Sequence, residues 1–154
     1  MTETLFTLSF VAAAPFWALM IVAPAWRVTR AVAASPLIVL PAVAVNLVLL
    51  LPLLGAFWPV VTRPTLAGLQ ALVASPEALA ALWAQIIAWD LFVGRWIYLD
   101  SRERGLHPLL MAPVLFLTIL LSPIALPLYL GLRLTTRNYG VAGAPRGGKA
   151  RTMT

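Results

Sequence analysis

Four long apolar runs dominate the chain, from roughly Leu5 to Trp26, Pro36 to Trp58, Pro76 to Leu99 and Pro108 to Leu132. Each reaches the roughly 20 residues that a helix needs to cross the hydrocarbon of a bilayer. Water is absent there, so a run of this kind has to pair its own backbone groups, and the helix is the form that does so within one segment. Composition agrees: 62% of the residues are hydrophobic, 10% are charged, and the mean hydropathy is +0.94, whereas soluble domains carry about 25% charged residues. The fold class expected is all-α, a polytopic membrane protein built as a four-helix transmembrane bundle over residues 1–138. Residues 139–154, with Gly140, Gly143, Pro145, Gly147, Gly148, Lys149 and Arg151, read as a disordered basic tail.

Three of the spans open on one start signal, Ser35-Pro36, Ser75-Pro76 and His107-Pro108. Proline at the first helical position gives up an N–H that would be unpaired anyway, and a serine before it can cap the free amides. Pro15, Pro41, Pro52, Pro113, Pro123 and Pro127 lie inside spans and are expected to kink them. Ser122-Pro123 with Ala125 reads as a small-residue kink that packs against a neighbour. The connection after the second span, over residues 64–73, suits a short helix lying at the membrane surface.

Four passes place both ends of the chain on one face. Basic residues then fall on both faces, Arg27, Arg30, Arg102 and Arg104 on one and Arg63, Arg133, Arg137, Arg146, Lys149 and Arg151 on the other. The larger group puts the tail in the cytoplasm. The first run is too long for a signal-peptide core and follows no basic residue, so it is read as a retained helix of a bacterial inner-membrane protein.

The net charge of +6 comes from 11 Lys and Arg against 5 Asp and Glu. The basic residues flank apolar runs, which matches lipid headgroups and not nucleic acid. With no cysteine and one histidine, thiolate chemistry is excluded and no metal site is expected. No cofactor is called for. His107 reads as a solvated loop residue.

Chemistry concentrates in the third span, Trp89-Asp90-Leu91-Phe92-Val93-Gly94-Arg95-Trp96-Ile97-Tyr98-Leu99-Asp100. A charge at mid-bilayer costs at least about 2.5–3.5 kcal/mol on insertion scales, so Asp90 should face the bundle interior and find a partner. Asp90 and Arg95 are about 140° apart round a helix and do not pair with each other as i,i+4 neighbours do. Asn46 in the second span is the expected hydrogen-bond partner of Asp90. Gly94, one turn on, admits a neighbouring helix or a flat ligand. Two readings stand side by side: polar residues that fix helix packing, or a titrating carboxyl group that acts on a bound apolar molecule.

This segment, together with Ser122-Pro123-Ile124-Ala125 and Tyr129-Leu130, resembles the abscisic-acid-deficient-four-like family, whose plastid members are needed for neoxanthin formation. The resemblance implies an apolar ligand such as a carotenoid and a cofactor-free isomerisation that opens an epoxide to an allene and a hydroxyl. It implies Asp90 and Arg95 as catalytic residues, with Asn46, Trp89, Gly94, Trp96, Tyr98 and Asp100 around the substrate. One departure is visible. The family pattern has glycine before the fourth-span proline and again two residues after it, where this chain has Ser122 and Ala125. The alternative function is a carotenoid-binding or accessory subunit without turnover.

Overall fold

The computed structural model describes residues 1–142, with side chains through Leu134. The described residues form an all-α bundle with seven α-helices: α1 (Thr2–Val22), α2 (Arg27–Ala34), α3 (Leu40–Leu50), α4 (Leu54–Thr62), α5 (Leu66–Val73), α6 (Pro76–Glu103) and α7 (Pro108–Ala142). Four segments are long and apolar enough to cross a membrane, Thr2–Val22, Pro36–Thr62, Pro76–Glu103 and Pro108–Leu134. The second of these combines α3 and α4 with 3-10 turns at Pro36–Val39 and Leu51–Leu53. Pro41 and Pro52 stand in or just after those turns, where the missing N–H breaks the α-helical ladder. The part of the expected tail over residues 139–142 continues α7; the rest, 143–154, lies outside the described residues.

The start signals work as caps. Ser35 Oγ accepts from Leu37 N at 3.3 Å, and Ser75 Oγ accepts from Ala78 N at 3.1 Å. His107 also caps: its Nδ1 accepts from Leu109 N at 3.3 Å. The surface helix expected over 64–73 is α5, opened by Thr65 Oγ1 accepting from Gly68 N at 3.1 Å. The connection between the first two spans holds a second short helix, α2, which buries Thr29 and Ala33 and exposes Arg27 and Arg30.

Helix α6 is the axis of the bundle, packed by α1, α3 and α7. Helix α1 runs alongside it in the same direction, as three contacts in order show: Thr2 with Glu77, Phe6 with Trp83, and Trp17 with Gly94. Helix α3 runs the opposite way, against buried Ala80, Ala81 and Ala84. Small side chains there let the two backbones approach, which is what drives helix association in lipid.

The path of α7 departs from the expected fourth crossing. Leu121 has φ −150° and ψ 62°, outside the helical region, directly before Ser122-Pro123. Before this break, α7 descends antiparallel to α6, joined to it by a tight turn. In that turn Gly105 has φ 67°, Gly105 N donates to Arg102 O at 3.2 Å and Leu106 N donates to Ser101 O at 3.0 Å, the Schellman pattern. Beyond the break the partners on α6 climb in step with α7: Ser122 meets Asp90, Tyr129 meets Trp96 and Asp100, and Arg133 meets Asp100. Two parallel helices keep such a register; a fourth crossing would carry Tyr129 and Arg133 to the opposite end of α6. The segment is therefore a re-entrant hairpin. Its two limbs, 108–120 and 122–134, have the 10–14-residue length typical of apolar stretches that enter a membrane without crossing it.

This path removes the charge conflict. Arg27 and Arg30 on α2, Arg95 bound to the end of α2, Arg102 and Arg104 at the end of α6, and Arg133 beside Asp100 all gather at one end of the bundle. Arg63, just after α4, stands at the other. Reporter fusions at Ala34, Leu106 and Ala142 should read the same membrane face, and a fusion at Ala74 the other. Opposite readings at Leu106 and Ala142 would establish a full fourth crossing instead.

Candidate functional site

Asp90 stands at the midpoint of α6, 5% exposed. It shares a buried stripe with Ile87, Leu91, Gly94 and Ile97. The side chain of Ser122, the first residue past the break in α7, lies beside it. Among the described residues no ion pair involves Asp90; both ion pairs are centred on Asp100. The return limb starts beside it, at Ser122. Non-helical backbone at this depth is tolerated only where protein buries it or a cavity receives it, and broken helices at the midplane are where membrane proteins gather polar sites.

The other expected site residues separate into three groups. Asn46 is buried, but its Nδ2 donates to Ala81 O at 2.9 Å, two and a half turns of α6 before Asp90; the expected Asn46–Asp90 bond is not formed. Arg95 is likewise engaged elsewhere. Its Nε donates to Ala33 O at 2.7 Å and its Nη2 to Ala34 O at 2.9 Å, so it neutralises the negative C-terminal end of α2. Tyr98 is 1% exposed and its hydroxyl donates to Pro24 O at 2.8 Å, tying the end of α1 to α6. Gly94 is covered by the Trp17 ring, which occupies the space a Cβ would need.

The second group is the wall of a groove. Trp89 is exposed and stacks edge-on with Phe92 at 5.9 Å. With Val39, Val43, Gln85 and Ala88 they line a cavity of about 270 Å3 on the lipid-facing side between the second span and α6. Gln85 is shared with a second apolar cavity of about 160 Å3, reached by Asn46, Phe57 and Leu69 beneath α5.

Asp100 and Trp96 form the third group. The Asp100 carboxylate accepts from Arg104 Nε at 2.7 Å, lies 3.4 Å from Arg133 Nε, and receives the Tyr129 hydroxyl. Trp96 meets Tyr129 edge-on at 5.6 Å, and the Arg133 guanidinium lies 5.7 Å from the Trp96 ring centre. This cluster clasps the return limb of α7 onto α6. Sequence reasoning missed Ser122, Tyr129, Arg104 and Arg133 as members of these arrangements. The repeat of a serine–proline start at Ser122-Pro123 was the signal that pointed to the first of them.

The class so defined is a small all-α membrane bundle with one mid-membrane carboxyl group set at the turn of a re-entrant hairpin. The ABA DEFICIENT 4-like family matches residues 4–129, a stretch that includes α6, the hairpin turn and Tyr129, and the chain belongs to that family. No curated protein and no solved structure matches the chain.

Gly94→Ala should destabilise the protein by about 1–3 kcal/mol, because the Trp17 ring has to move. Combining it with Trp17→Leu should return part of the loss in detergent unfolding measurements. Tyr129→Phe should cost about 1.5–3 kcal/mol in the same assay, the usual worth of a hydrogen bond to a charged group.

Proposed function

We propose that the protein binds a carotenoid within the membrane and isomerises an epoxide end group of it by acid–base chemistry at Asp90. The observation that carries this reading is a buried carboxyl group at mid-membrane, beside the Ser122 side chain and in no ion pair among the described residues. Intramembrane ionisable residues of this kind mark functional sites by default, and family membership supports the substrate class. Trp89 and Phe92 supply flat apolar walls on the same helix, and Asn46 and Gln85 supply polar groups for an oxygenated end of the ligand.

The reaction needs a proton at the epoxide oxygen and a base at the neighbouring carbon. As the C–O bond opens, the oxygen becomes a hydroxyl; loss of a hydrogen from the adjacent carbon leaves its electron pair in the new cumulated double bond. The proton gained and the proton lost balance, so no redox partner takes part. Asp90 is the group that exchanges a proton with the ligand, and Ser122 orients it. Arg95 acts as a positioning residue through α2. The face that collects the arginines is the cytoplasmic one, and the membrane is a bacterial inner membrane.

A second reading, a carotenoid-binding or accessory subunit, draws on the nearness of Ser122, because a carboxyl group packed against a hairpin turn has a structural use without turnover. Expression in a carotenoid-producing bacterium separates the two. The wild-type protein should generate a new pigment isomer, and Asp90→Asn should assemble, retain pigment and form product about 100-fold more slowly. Conversion by Asp90→Asn at the wild-type rate removes the catalytic assignment, and unchanged pigment co-purifying with the wild-type protein establishes the accessory reading.

A further inference from the structure

The clasp residues also line an opening. Between the return limb of α7 and α6 lies an apolar cavity of about 430 Å3, walled by Phe92, Val93, Trp96, Leu126, Leu130 and Arg133. Leu130 and Arg133 are shared with a neighbouring cavity of about 480 Å3, whose other walls among the described residues are Arg104 and Leu134. One groove thus passes from an apolar floor at Phe92 to a mouth flanked by two guanidiniums. From Phe92 to Arg104 is about 18 Å along α6, close to half of a roughly 30 Å hydrocarbon core.

We infer that this groove is a binding site for one anionic glycerophospholipid of the leaflet on the arginine face. The length selects the occupant: a molecule of one leaflet matches it, whereas one that crosses the membrane extends well beyond it. Charge selects the head group. The mouth lies on the face that gathers Arg27, Arg30, Arg102, Arg104 and Arg133, and an anionic head group complements a basic cluster at the membrane surface. The apolar floor receives one acyl chain, with the other left in the bilayer. The site shares Phe92 with the groove of the carotenoid reading, and none of its walls is Asp90, Ser122 or Trp89.

Native mass spectrometry of the purified full-length protein tests this with phosphatidylglycerol and phosphatidylcholine of identical acyl chains. One phosphatidylglycerol should be retained in preference to phosphatidylcholine. Arg104→Gln should lower that retention about fivefold, the effect of one basic residue at a membrane surface. Leu130→Trp, which fills the groove and leaves the charges in place, should lower it at least as much, and Arg63→Gln on the opposite face should leave it unchanged. Equal retention of the two lipids overturns the proposal, as does an Arg63→Gln effect equal to that of Arg104→Gln. Undiminished retention in Leu130→Trp also overturns it, and that variant alone decides if Arg104→Gln fails to assemble.

Discussion

A helix that ends in the middle of a bilayer leaves backbone amides and carbonyls without water, and each unpaired group there costs several kcal/mol. The fold of this chain is arranged around meeting that cost at Leu121. Pro123 has no amide to leave unpaired, Ser122 sits beside Asp90, and both limbs of the hairpin are packed by protein on one side. Each limb has its own buried stripe, Met111, Val114, Leu115 and Thr118 on the way in, Ala125 and Tyr129 on the way out. Every stripe obeys helical spacing within its limb. Only the direction changes between them.

A return limb needs an anchor at its outer end as well, because lipid offers no hydrophobic gain for one apolar helix leaving another. Asp100 provides it. The carboxylate sits near the end of α6, where Arg104 from the same helix and Tyr129 and Arg133 from the limb converge. Positive charges that the carboxylate attracts are also held at the membrane surface by anionic headgroups, so the clasp and the lipid groove draw on the same residues. With Arg95 bonded to the end of α2, the arginine face is built from ties that each join two elements.

The sequence made some of this legible and concealed the rest for identifiable reasons. Helix starts were readable because Ser35, Ser75 and His107 act locally, within three residues of the amides they cap. Hydropathy carries no direction, so 27 apolar residues from Pro108 to Leu134 look the same whether they cross once or enter and return. Two clues were present. Ser122-Pro123 repeats the pairing that opens other helices, and the placement of Arg133 opposite Arg104 disappears once the limb returns. The Asn46 assignment failed for another reason. Which turn of one helix meets which turn of another depends on the tilt and entry of both, and Asn46 reaches Ala81 because α3 starts beside the C-terminal part of α6 and descends from there. Arg95 was read against charges within its own helix, while its partners are the carbonyls that end α2, which no side-chain pattern reveals.

Ser122 gives the departure from the family pattern a physical meaning. A glycine before the proline would let the turn form and would bring no side chain to Asp90; serine keeps a small volume and adds a hydroxyl beside the carboxyl group. Ala125, the other departure, is fully buried, so its methyl group is accommodated within the packing of the return limb. The two substitutions therefore differ in kind. One adds volume to a contact between helices, and the other places a polar side chain beside the carboxyl group at the centre of the bundle. Of the two, Ser122 is the one that changes what surrounds Asp90.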